Sequence, residues 1–218
     1  ANPYEKTRVM DELPQSGEGK TITTTEPKFI PTDAVPVSSA GGANLNVRLV
    51  DCVGYLVPGV IGDKEEGKER MVSTPWQEEK IPFSQAAEIG TEKVIEEHSV
   101  VGVVVTTDGS FGESPRQNYI EAEAKTVAQL KELEKPFVVV VNSAVPQNER
   151  SRQLAQELEE KYVVPVVLTN CQRMSEAEID DLFDKLIYQF PVCEVDFELP
   201  GYLDALPSEH WIKKTMIE

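Results

Sequence analysis

The chain has 218 residues, 40% hydrophobic and 27% charged, which describes a folded globular protein and excludes a disordered one. No apolar run approaches the roughly 18 residues that mark a membrane span, and no signal-peptide pattern is present. The formal charge of −17 argues against electrostatic capture of nucleic acid, which needs clustered Lys and Arg, so no nucleic-acid partner is expected. Cys52, Cys171 and Cys193 show no paired spacing, which fits a reducing, cytoplasmic setting, and two distant histidines argue against a zinc site.

Residues 1–27 are polar and turn-rich and read as loop with at most a short helix. Lys28–Ser38 reads as an irregular edge strand broken by Pro31 and Pro36. In Asn44–Cys52 the alternation of Leu45, Val47 and Leu49 predicts a strand with those three on one face. Residues 54–80, with the charged run Asp63–Arg70, predict one long mobile loop. A helix is expected over Ser84–His98 and a strand over Val100–Thr106. Ile120, Ala124, Val127 and Leu130 stand at helical spacing within a helix over Tyr119–Glu134. Phe137–Val141 is wholly apolar, as a central parallel strand should be. A helix over Arg150–Tyr162, with Leu154, Leu158 and Tyr162 at helical spacing, and a buried strand over Val164–Leu168 follow. Ser175-Glu-Ala-Glu178 is a capping box opening a helix that carries Ile179, Leu182, Phe183, Leu186 and Phe190. Strands alternating with helices predict an α/β fold with a doubly wound, mostly parallel sheet over residues 1–191. Residues 192–218 read as a linker and the start of something else.

Open parallel sheets bind ligands at the carboxyl ends of their strands, so the polar strand ends carry the functional argument. Asp51-Cys-Val-Gly54 closes a hydrophobic strand with an acid followed by glycine. This is the pattern by which nucleotidases order water on Mg2+ and let a glycine N–H approach a γ-phosphate. A turn-capping Asp is the plain alternative. Thr23-Thr-Thr25 precedes a strand, where such enzymes place a threonine over Mg2+ and the γ-phosphate; alone, it is a polar loop. Asn142-Ser143 and Thr169-Asn170-Cys171 end two further strands and are the candidate nucleotide-binding positions; Asp108, in Thr106-Thr-Asp-Gly109, is a turn residue by default.

Gly17-Glu-Gly-Lys-Thr21 resembles the end of a phosphate loop, but Pro14 stands where the first glycine belongs and no buried strand precedes it. The expectation is a P-loop nucleotidase fold whose first strand and phosphate loop lie upstream of Ala1, so that the chain reads as a fragment. Asn142-Ser-Ala-Val145 lacks the Lys and Asp that read guanine, and Val145 accepts no hydrogen bond from the guanine edge, which points to ATP over GTP.

Several strings resemble the stage IV sporulation protein A family: Asp11-Glu-Leu-Pro-Gln-Ser16, Thr24-Thr-Glu-Pro-Lys-Phe29, Arg48-Leu-Val-Asp-Cys-Val-Gly-Tyr55, Thr74-Pro-Trp76, Tyr119-Ile-Glu-Ala-Glu123 and Lys135-Pro-Phe137. The resemblance covers nearly the whole chain. It implies a translation-factor-like GTPase fold that uses ATP, with Mg2+, to drive self-polymerisation on the forespore surface as the base of the spore coat. It also implies work in the mother-cell cytoplasm, peripheral to the forespore outer membrane. The implied partners are further copies of itself, a small amphipathic membrane-surface sporulation peptide and other coat proteins. Asp51 matches the family's Walker B acid, and Thr24 and Thr25 match its sensor threonines, while Gly19-Lys-Thr21 belongs to its switch I region. The family's Walker A loop and its middle and C-terminal regions are expected outside the 218 residues. Two other readings stay open: a structural scaffold that keeps a nucleotidase fold without catalysis, and a conventional GTPase.

Overall fold

The computed structural model describes residues 28–38, 42, 44–52, 54–59, 64–65, 68–74, 77–111, 114–191, 206–207, 209–212 and 215. Thr24, Thr25, the Gly17–Thr21 string and nearly all of 192–218 lie outside them. Strand β1 (Lys28–Ser38) pairs antiparallel with β2 (Asn44–Asp51). The register slips between Ile30 and Val35, so Pro31, which has no N–H to donate, falls in the irregular stretch. This ribbon joins no other strand among the described residues. Leu45 and Val47 are half-buried, but Leu49 is 58% exposed, so the expected three-residue apolar face is incomplete.

The single long loop expected over 54–80 is corrected. It contains two short antiparallel pairs, β3 (Lys64–Glu65) with β4 (Lys68–Glu69) and β5 (Met71–Thr74) with β6 (Gln77–Pro82). Position Lys64 is opposite Glu69 and Glu65 is opposite Lys68 in the register, a pairing invisible to hydropathy.

Helix α1 (Phe83–Lys93) widens at its end into a π-helical turn, Val94–His98, so the expected single helix changes pitch. The turn's carbonyls find partners: Ser99 donates from its N–H to Val94 and from its hydroxyl to Ile95, both at 2.9 Å. Lys135 Nζ donates to the carbonyls of Ile95, Glu96 and Ser99.

The core sheet is β7 (Gly102–Thr107), β8 (Phe137–Asn142) and β9 (Val166–Thr169), all parallel and in that order. Its central strand is buried along Phe137–Val141, as its unbroken apolar run requires. Helix α2 (Ile120–Glu132) and helix α3 (Glu149–Tyr162) cover one face. There Val127, Leu130, Leu158 and Tyr162 meet Val104, Val139 and Val141 in one cluster that includes Ile95. Val138 and Val140 alternate to the opposite face, also fully buried, and helix α4 (Glu176–Ile187) packs on β8 without entering that cluster. Helices on both faces make the sheet doubly wound, with three strands joined in it among the described residues.

The capping box at α4 forms as read: Ser175 Oγ accepts the Glu178 N–H at 3.3 Å and Glu178 Oε2 accepts the Ser175 N–H at 2.8 Å. The face of α2 is corrected at two positions. Ile120 is 42% exposed, while Glu123 is 4% exposed. No helix among the described residues is long and apolar enough to cross a membrane.

Candidate functional site

Because β7, β8 and β9 are parallel, Thr107–Asp108, Asn142–Ser143 and Thr169–Cys171 leave the sheet at one end. The structure brings Asn142, Ser143 and Asn170 together there. Asn142 Oδ1 accepts the Cys171 N–H at 3.0 Å, and the Ser143 N–H donates to the Thr169 carbonyl at 2.9 Å. Asn170 Nδ2 donates to the Ala144 carbonyl at 3.5 Å. Ser143 itself is fully buried: its hydroxyl donates to Ser151 at 3.4 Å and accepts the Val145 N–H at 3.1 Å. Its side chain therefore braces the loop from within.

Asp108 fastens this loop to its neighbours. Its carboxylate accepts the Ser110 N–H at 2.9 Å and the Ser151 hydroxyl at 2.6 Å, and also the Ser110 hydroxyl, whose oxygen accepts the Ala144 N–H at 2.8 Å. Burial pushes the Asp108 pKa up, but hydrogen bonds from Ser110, Ser143 and Ser151 outweigh it and leave the carboxyl below its usual range. Gly109 follows at φ +85°, where an added Cβ would stand 2.8 Å from the Arg116 backbone nitrogen. Ser151, buried in the first turn of α3, was missed in the sequence; a small hydroxyl between Arg150 and Arg152 was its only signal.

Asp51 ends β2 with an exposed side chain. Gly54 adopts φ +78°, the left-handed region that favours glycine, with nothing within 4 Å of where a Cβ would project. Between them, burial pushes the Cys52 thiol pKa up. Among the described residues no hydrogen bond joins Asp51 or Gly54 to Asn142, Ser143 or Asn170. Thr24 and Thr25 cannot be placed beside them, since both fall outside the described residues.

The described residues contain no cluster of three His, Cys, Asp or Glu able to cage a metal. One exposed carboxylate fits Mg2+, which keeps several waters and leans on substrate phosphates as well as one or two acids. Space is open on the side of Gly54 where a Cβ would project. Phosphate cradles are built on helix N-termini. Those of α3 and α4 are capped by Asn148 and Ser175, and α1 starts directly after Pro82. The residues thus fit the metal side of a nucleotide site, and those described provide no glycine cradle.

A parallel α/β sheet wound by helices, with polar loops gathered at its carboxyl end, belongs to the class consistent with P-loop NTPase-like domains. A family model described as "Stage IV sporulation protein A, ATPase domain" matches residues 1–191, and the chain belongs to the stage IV sporulation protein A family. It is 47% identical over 218 residues, its full length, to stage IV sporulation protein A of Bacillus subtilis (strain 168). To the protein of that name in Clostridioides difficile (strain 630) it is 48% identical over 216 residues, 99% of the chain. The Bacillus anthracis protein is 47% identical over 217 residues. The chain covers 44% of the length of each of these relatives. No solved structure matches it.

Proposed function

We propose that this chain is most of the ATP-hydrolysing domain of a sporulation protein whose turnover drives its own polymerisation on the forespore surface, as the base of the spore coat. The observation that carries the reading is the match of residues 1–191 to an ATPase-domain family, with Asp51 and left-handed Gly54 at the end of a strand. Asp51 and Thr25 would hold Mg2+, and Thr24 and Gly54 would serve the γ-phosphate; the metal would supply charge neutralisation on the phosphates. Asn142, Ser143 and Asn170 shape the loops on the nucleotide's base side, Ser143 through its backbone.

The phosphate loop and its strand are not among the described residues, and the sheet has an edge open to such a strand: among the described residues β7 pairs only with β8, and its Val103 and Val105 are 41% and 62% exposed. An incoming strand and helix would cover them. The working location is the mother-cell cytoplasm at the forespore outer membrane, and the partners are further copies of the protein, a small amphipathic membrane-surface peptide and other coat proteins.

The test uses the full-length protein. Mg2+-dependent ATP turnover should be present and should vanish in Asp51→Ala, with light scattering rising only when ATP is added. Normal turnover in Asp51→Ala would overturn the site. Assembly indifferent to ATP would identify a scaffold without chemistry, and faster turnover of GTP would identify a conventional GTPase.

A further inference from the structure

We propose that Tyr55, Gln129 and Asn118 are positioning residues for hydrolysis, seating the loop that follows Asp51 and Gly54 on helix α2; this rests on the ATPase reading above. The loop touches the helix through two separated polar contacts. The Tyr55 hydroxyl donates to Gln129 Oε1 at 2.5 Å. Three residues further along the loop, Asn118 Nδ2 donates to the Pro58 carbonyl at 2.9 Å from the turn that precedes α2. Between these points Lys125 lies over the Tyr55 ring, 4.2 Å from its centre, and pairs with Glu88 of α1. One lysine therefore joins both helices to the loop.

Burial, reinforced by the carboxylates of Glu92 and Glu88, pushes the Tyr55 phenol up to about 12. It stays a donor at any physiological pH. A cavity of about 390 Å³ remains between the loop and the two helices, reached by Pro58, Ser84 and Glu121. The contacts that hold this stretch are the hydrogen bonds at Tyr55 and Pro58 and the Lys125 contact between them. Tyr55 is the residue directly after Gly54, whose left-handed backbone turns the chain away from Asp51. Holding the ring on α2 limits how far the backbone at Gly54 can shift, and small displacements beside a reacting group are costly in rate. Among the described residues Gln129 hydrogen-bonds Tyr55 and none of Asn142, Ser143 or Asn170, so replacing it should spare nucleotide binding.

The experiment compares full-length parent, Tyr55→Phe, Gln129→Leu, their double variant and Gln129→Glu, measuring ATP kcat and KM and amide exchange over residues 54–59. Loss of one hydrogen bond predicts kcat lower by about fivefold in each single variant with KM unchanged, and no further loss in the double. Gln129→Glu, which keeps an acceptor, should restore kcat. Exchange over 54–59 should quicken in Tyr55→Phe and Gln129→Leu without a change in global unfolding temperature. An active parent with normal or raised kcat in both single variants would overturn the seating alone. So would losses that multiply in the double. A parent that hydrolyses no ATP would overturn the ATPase reading and this inference with it.

Discussion

Arg116 donates from Nη2 to the Glu123 carboxylate across 2.6 Å, with side chains 13% and 1% exposed. Tyr162 donates to the other carboxylate oxygen at 2.8 Å, and Arg116 Nη1 reaches the Thr106 hydroxyl at 3.3 Å. The pair thus ties the turn before α2 to α2 itself, to α3 and to the end of β7. Arg116 Nε is buried with no partner, so the network is not fully satisfied. Removing one member leaves a buried charge, whereas replacing both leaves an apolar fill. Glu123→Ala should therefore lower stability by about 3–5 kcal/mol, and the double Arg116→Met/Glu123→Met by much less. Urea unfolding midpoints of the three proteins check the ordering.

That network shows where sequence reading runs out. Phe137–Val141, the α4 capping box and the α3 stripe of Leu158 and Tyr162 were legible because each is a local pattern: an apolar run, a spacing of three, a spacing of four. Glu123 was not, because its burial depends on Arg116 folding back from a turn and on Tyr162 arriving from another helix. That the ends of β7, β8 and β9 gather on one side was legible because a parallel sheet brings them together automatically. That Ser143 points inward, and that Asp108 binds the next loop, follow from side-chain partners with no fixed spacing. The strand content of 64–82 was hidden by its charge, since hydropathy sees Lys and Glu as loop whichever residues they oppose.

The depressed pKa of Asp108 has a pH consequence with a definite sign. A carboxyl held lower in the folded state contributes stability that is fully present above its unfolded pKa, 3.8, and is lost as pH falls through the folded value. Asp108→Ala should be less stable than the parent at neutral pH, because it leaves Ser110 and Ser151 without their shared acceptor. The gap between the two unfolding midpoints should narrow below about pH 4. A gap constant from pH 7 to pH 2.5 would show that the ionised carboxylate contributes nothing beyond packing.

Asn142 gives a test of loop order. Its Oδ1 accepts the Cys171 N–H at 3.0 Å, so the β8 and β9 loops are joined by one side chain. Asn142→Ala should cost about 1 kcal/mol and speed amide exchange at Cys171, while Asn142→Asp, which keeps the acceptor, should leave that exchange near the parent rate. Equal exchange in Asn142→Ala and parent would show that the loops are ordered by other contacts.

Val163 occupies the position just past α3 at φ 56° and ψ 44°, the left-handed conformation that a β-branched residue adopts at a cost. Its N–H donates to the Glu159 carbonyl at 2.8 Å, which ends the helix in the way a glycine usually does. The side chain is 83% exposed, so little burial offsets the strain. Val163→Gly relieves the steric conflict in the folded chain but frees more conformations in the unfolded one, and the first effect is the larger because the conformation needs φ above zero. The net gain should be about 0.5–1 kcal/mol. In a domain of this size that raises the unfolding temperature by about 1–4 °C. Val163→Ala, which keeps a Cβ, should gain much less. A Gly variant that melts below the parent would mean that the exposed valine makes a contact worth more than the strain it imposes.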